Sequence, residues 1–151
     1  MLEKLSNYNN WANSLLLNAI TAAAEIPSAA IPDYCLSLLS HIANAQQIWV
    51  SRIQGIAPEV SVWQLHDLHT CRAMLETSGQ ELLHIVINDA AKDRILSYKI
   101  STGALFETSV EDILLHVFNH GTYHRAQIAK AMKESGLQPV NTDYIQFVRS
   151  E

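Results

Sequence analysis

The 151 residues carry ten Lys and Arg against fifteen Asp and Glu, a formal net charge of −5, and 48% are hydrophobic against 17% charged. That balance excludes an intrinsically disordered chain, which needs more charge and fewer apolar groups. It also disfavours a nucleic-acid partner or an anionic membrane surface, since both select a basic patch, and the chain has no long Lys/Arg run. At this length a chain buries about 68–70% of its unfolded surface, so one domain spanning 1–151 is expected.

The first element reads as a helix. Leu2, Leu5, Tyr8, Ala12, Leu15, Leu16, Ala19 and Ala23 recur at three- and four-residue steps, while Asn9, Asn10, Asn13 and Asn18 largely take other faces. Pro27 stops it near Glu25. The stretch "SLLLNAITAAAEIPSAA" has the apolar content of a secretory signal, but Asn18 and Thr21 interrupt it and only Lys4 supplies positive charge ahead of it. It is read as part of the helix. No apolar run approaches the roughly 18 residues of a membrane span. Cys35 and Cys71 lack Cys-x-x-Cys spacing and read as reduced thiols serving as small core residues, which fits a cytoplasmic protein.

After a linker with Pro27 and Pro32, Asp33 is placed as the cap of a second helix that runs to about Gln54 and ends at Gly55. "IAPEVSVWQ" reads as an irregular crossing. Asp67 caps a third helix to about Asn88, through Leu68, Met74, Leu75, Leu82, Leu83 and Val86, with a middle weakened by Ser78 and Gly79. Then the period falls to two. Ile95, Ser97 and Lys99 take one side, Leu96, Tyr98 and Ile100 the other; Ser101-Thr102-Gly103 is turn chemistry, and Leu105-Phe106 resumes the extended pattern. This is a small β-hairpin. Ser109 starts a fourth helix, with Asp112 at its third position as a capping-box variant, and that helix ends near Gly136. A tail adds a turn and one short helix. The fold class is all-α, a four-helix bundle with a hairpin insertion before the last long helix. The long crossing between the second and third helices permits a topology other than up-down-up-down.

The fourth helix carries His116, His120 and His124 at four-residue steps within "HVFNHGTYHRAQIAK". On a wheel at 100° per residue, Val110, Ile113, Leu114, Val117 and Ile128 form the core stripe. His124 falls inside it, and His120 and His116 drift toward its edge. An i, i+4 pair places two imidazoles on adjacent turns of one face, a spacing that can chelate a divalent ion; a third ligand must come from elsewhere. The alternative is a set of boundary histidines bonded to neighbours. His41 lies on a stripe with Leu38, Ala45 and Ile48 and looks inward. His66 and His69 form a rival His-x-x-His pair but straddle a helix start beside Asp67, where solvated or capping roles are expected. His84 reads as a boundary residue.

"LLSHIANAQQIWVSRI", "LLHVFNHGTYHRAQIA" and the tail "NTDYI", together with the order of elements, resemble the DinB-like (DinB/YfiT-type) superfamily of metal-binding four-helix bundles. The resemblance implies a metal triad of His41, His120 and His124, with His116 matching a motif histidine that is not usually a ligand. Where that superfamily often has Arg-Gly-Gln, this chain has Arg125-Ala126-Gln127, and Ala126 is placed on the outer face. The implied cofactor is a divalent metal ion, with zinc, nickel and iron all compatible with three imidazoles. Three protein ligands leave coordination positions open, the catalytic pattern. Gln127 and Asp143 are candidates to orient the ligands. The implied activity is metal-dependent, of thiol S-transferase or hydrolase type, acting on a small-molecule thiol. The alternative is a non-catalytic metal-binding, dimerising bundle protein of stress response. No nucleophile elbow, Gly-rich phosphate loop or carboxylate pair near the ladder points to other chemistry. Leu115, Tyr123, Ala126 and Ala129, on or beside the outer face of the fourth helix, suggest a homodimer.

Overall fold

Apolar residues at helical spacing close four long helices. In the computed structural model, which describes residues 1–27, 30–88, 93–100 and 102–150, these are α1 (Leu2–Ala24), α2 (Asp33–Gln54), α3 (Leu68–Asn88) and α4 (Val110–Glu134). Strands β1 (Ile95–Lys99) and β2 (Leu105–Ser109) precede α4, and a short α5 (Tyr144–Ser150) follows it. The protein is thus an all-α bundle with a small β insertion.

Local chemistry fixes the element ends. Gly55 ends α2 in the left-handed conformation at φ 75°, where a side chain would be strained. The Asp67 carboxylate accepts the Thr70 amide at 2.7 Å and caps α3. At α4 the Ser109 hydroxyl accepts the Asp112 amide at 3.1 Å and lies 2.6 Å from the Asp112 carboxylate. The box is therefore closed by a hydroxyl–carboxylate bond, since aspartate is a methylene shorter than the usual glutamate. One cap differs from the sequence reading. Pro32, not Asp33, holds the cap position of α2, at φ −58° and ψ 135°. Proline's fixed φ suits that extended geometry, and Asp33 becomes the first helical residue, where the helix dipole still favours its charge.

Two apolar clusters define the direction of each helix. One joins Leu16, Leu17 and Ile20 of α1 to Leu38 and Leu39 of α2, Cys71 and Leu75 of α3, and Ile128 and Met132 of α4. The other joins Leu2 to Val50 and Ile53, to Leu82 and Val86, and to Val110, Ile113, Leu114 and Val117. Hence α1 and α4 run one way and α2 and α3 the other. Helices α1 and α2 each pack on both α3 and α4, so consecutive helices α1 and α2 stand across a diagonal. The crossing from Gly55 to Asp67 lets α3 run alongside α2 in the same direction.

Between the clusters lies a polar belt. It holds Asn9 and Asn13 of α1, His41, Asn44 and Gln46 of α2, Ser78 of α3 and Arg125 of α4, all buried. Arg125 Nη1 donates to Asn9 Oδ1 at 3.0 Å and to Asn13 Oδ1 at 2.8 Å, and its guanidinium sits 5.4 Å from the Tyr8 ring centre. The two central glycines make this belt possible. A Cβ on Gly121 would crowd Arg125 and Asn9, and one on Gly79 would run into the Asn10 amide. Of the two residues that weaken α3 by propensity, Gly79 thus lets α1 approach it, and Ser78 donates to Gln46 of α2 at 3.0 Å.

The hairpin pairs Ile95 with Ser109 and Tyr98 with Phe106. Leu96, Tyr98 and Thr108 are its half-buried side, and Tyr98 meets Trp49 of α2 edge to face at 5.0 Å. Thr102 and Gly103 lie in the turn, Gly103 at φ 83°; Ser101, the third residue of the expected turn, falls outside the described residues. Among the described residues no helix is long and apolar enough to cross a membrane.

Candidate metal centre

The antiparallel packing of α2 on α4 brings His41 to the ladder. His41 is 7% exposed, and His120 and His124 are half-buried. One ligand-capable nitrogen from each lies within 4.8 Å of the others. The imidazole rings stand edge to face or tilted, with centroids 4.8 Å apart for His41–His120 and His41–His124 and 4.4 Å for His120–His124. Among the described residues no carboxylate joins the cluster.

Hydrogen bonds on the outer nitrogens decide which way the lone pairs face. The Nδ1 atom of His41 lies 3.0 Å from the Val62 carbonyl. A carbonyl only accepts, so Nδ1 carries the proton and Nε2 of the neutral ring presents a lone pair. That Nε2 lies 3.0 Å from Nε2 of His120. Likewise His124 Nδ1 lies 2.7 Å from Gln127 Oε1, which leaves its Nε2 free. Two nitrogens each about 2.0–2.1 Å from one tetrahedral ion sit roughly 3.3 Å apart; the 3.0 Å between His41 and His120 is close to that, and the His124 nitrogen lies within 4.8 Å of both. The donor set fits a divalent ion of the borderline kind.

Burial and neighbouring charge favour the neutral form of His41 and His120. Burial lowers the His41 pKa from its ordinary value, partly opposed by the Val62 bond, and neighbouring His124 adds to the lowering. Burial, with the charges His124, His41 and His116 would carry, pushes His120 down to about 3. Neutral imidazole is the form that ligates.

The crossing loop completes one wall. Trp63 stacks flat on His41, with centroids 3.8 Å apart and planes at 6°, and remains 59% exposed. Asn44 holds this loop. Its Nδ2 donates to the carbonyls of Gln64 at 2.8 Å and Val62 at 3.3 Å, and its Oδ1 lies 2.8 Å from His66 Nε2. Two carbonyls and one ring N–H assign the amide without ambiguity.

The other sequence candidates separate clearly. His116 is exposed, 5.6 Å from the His120 ring and 5.8 Å from Trp49, and stands outside the cluster. His66, expected to be solvated or capping, is instead half-buried and bonded to Asn44, because the loop folds back over α2. His69 and His84 are exposed. Gln127 meets the His124 ring, whereas Asp143 lies on the tail with its amide bonded to Asn141. Sequence reasoning missed Val62, Trp63 and Asn44. The available signal was a tryptophan and two valines in a segment otherwise written as loop.

Bundle, hairpin position and a three-histidine cluster bridging α2 and α4 define a class of helical protein positioned to bind a metal ion. The chain belongs to the DinB family, whose model matches residues 1–151. It is 26% identical to Protein DinB of Bacillus subtilis (strain 168) over 154 residues, covering 93% of this chain and 90% of that protein. It is 28% identical to Uncharacterized protein YizA of the same organism over 115 residues, covering 73% and 70%.

Proposed function

We propose that the chain binds one divalent metal ion through His41, His120 and His124 and acts as a metal-dependent enzyme of the thiol S-transferase or hydrolase type. The carrying observation is the outward anchoring of two rings, His41 on Val62 and His124 on Gln127, which leaves their Nε2 atoms free, that of His41 3.0 Å from His120 Nε2. A bound ion would supply Lewis acidity at its open positions. The chain's own contribution is to hold three imidazoles in place, and to shield His41 with Trp63. Zinc, nickel and ferrous iron all suit this donor set. The buried free thiols of Cys35 and Cys71 accord with a reducing cytoplasm. Metal analysis of the purified protein, followed by a thiol-conjugation screen with and without chelator, tests the reading. Conjugation unaffected by chelator would refute it.

A second reading is favoured by one observation. A groove of about 1080 Å³ lies not at the triad but along the outer face of α4, lined by Leu115, Ala126, Ala129, Val140 and Tyr144. A non-catalytic, dimerising bundle of stress response would use that face for assembly. The two readings share the metal and the homodimer and differ in turnover.

A further inference from the structure

Arg52 follows His41 by eleven residues of α2, about three turns and ~16 Å of axis, so both side chains leave the same face. Helical side chains lean toward the N-terminus, and the Arg52 guanidinium accordingly lies over the Trp49 ring at 4.6 Å, with the Tyr98 ring at 5.1 Å. From there rings continue to the triad. Trp49 meets His116 at 5.8 Å, and His116 meets His120 at 5.6 Å. Among the described residues no ion pair engages Arg52.

The α2 C-terminus by itself favours a cation at this point, but that attraction would not order the side chain against two rings. Held there, the planar fork keeps its donor edge for a carboxylate and loses little further freedom on binding one. In a chain of net charge −5, an unpaired guanidinium is also a local attractor for anions. The hairpin gains a role as well, since it delivers Tyr98 to this position.

We infer that Arg52 determines specificity by binding the carboxylate of a substrate whose thiol end reaches the His41–His120–His124 centre, with the Trp49 and His116 rings beneath the connecting chain. This rests on the metal reading above. The test uses the full-length protein loaded with cobalt(II), whose absorption reports thiolate coordination. The probes are mercapto-octanoate with a terminal thiol and the matching mercapto-octanol. The acid should bind about tenfold more tightly than the alcohol. Arg52→Gln should erase that preference while leaving cobalt uptake and alcohol binding unchanged, and Arg52→Lys, which keeps the charge without the fork, should retain part of it. If Arg52→Gln does not fold, Tyr98→Leu, which removes one supporting ring, should reduce the preference. Equal binding of acid and alcohol, a preference that survives Arg52→Gln, or no thiolate band with either probe overturns the role of Arg52 while the metal reading stands. Failure to take up cobalt overturns both.

Discussion

His41 of α2 and His120 of α4 bring their Nε2 atoms to 3.0 Å from one another, and the Val62 carbonyl leaves His41 no proton at that nitrogen. In the metal-free protein only His120 can supply the hydrogen between them. A bound ion would take that hydrogen's place, held by both nitrogens. Substituting His41→Ala removes the ligand from the second helix and should leave a folded bundle that no longer retains a stoichiometric ion. The measurement is metal content per chain after dialysis. Occupancy close to that of the unsubstituted protein would sink the triad.

An ion that binds only the folded chain stabilises it by about 2.7 kcal/mol when present at a hundred times its dissociation constant. For a chain of this size that is roughly 5–10 °C in Tm. Chelator should lower the melting temperature by about that much near pH 7.5, and should change nothing in His41→Ala.

Acidification should destabilise the protein even without metal. The His120 pKa falls from its ordinary value to about 3 in the folded chain, and His41 moves the same way. Between the unfolded value near 6.5 and the folded one, the unfolded chain binds more protons. Stability is therefore fully present above about pH 6.5 and declines as pH falls toward 3. Protons also displace the ion from the same nitrogens. Melting curves of metal-free protein at about pH 7.5 and pH 5 should show the drop, and metal-loaded protein a larger one. A metal-free curve unchanged over that range would contradict the burial of these rings.

Gln127 takes the Nδ1 hydrogen of His124 at 2.7 Å. Losing such a partner typically costs 10–100-fold in metal affinity. Gln127→Leu should show that loss in a competition titration against a calibrated chelator, with the helix content unchanged.

At Gly121 a Cβ would sit 2.8 Å from Arg125 Nη1 and 2.9 Å from Asn9 Oδ1. Alanine improves helix propensity by about 0.5–1 kcal/mol, but overpacking a filled core costs about 1–3 kcal/mol. The guanidinium cannot step aside without leaving both asparagines. Gly121→Ala should therefore be net destabilising by about 1 kcal/mol in urea unfolding. A stabilised variant would show the polar belt to be loosely packed.

Element boundaries were legible because each rests on short-range chemistry. Three- and four-residue apolar steps place the helices, Gly55 and Gly136 their ends, and the shift to period two the hairpin; Gly136 indeed takes φ 74°. The core stripe of α4 followed from the wheel, with Val110, Ile113, Leu114, Val117 and Ile128 all buried. The i, i+4 spacing of His120 and His124 was written in one helix, so two of the three cluster residues were visible locally.

What joins α2 to α4 was not local. His41 meets His120 across 79 positions, and periodicity on a helix says which way a residue faces but not which helix it faces. The crossing loop was less legible still. Val62 and Trp63 reach His41 only because Asn44, one turn further along α2, binds two loop carbonyls and His66. A buried amide serving three distant partners has no one-dimensional signature. The sequence by itself determined the elements, their apolar faces and the residue types able to hold an ion. The tertiary structure alone decided which nitrogens face one another, because that depends on acceptors placed by packing rather than by spacing.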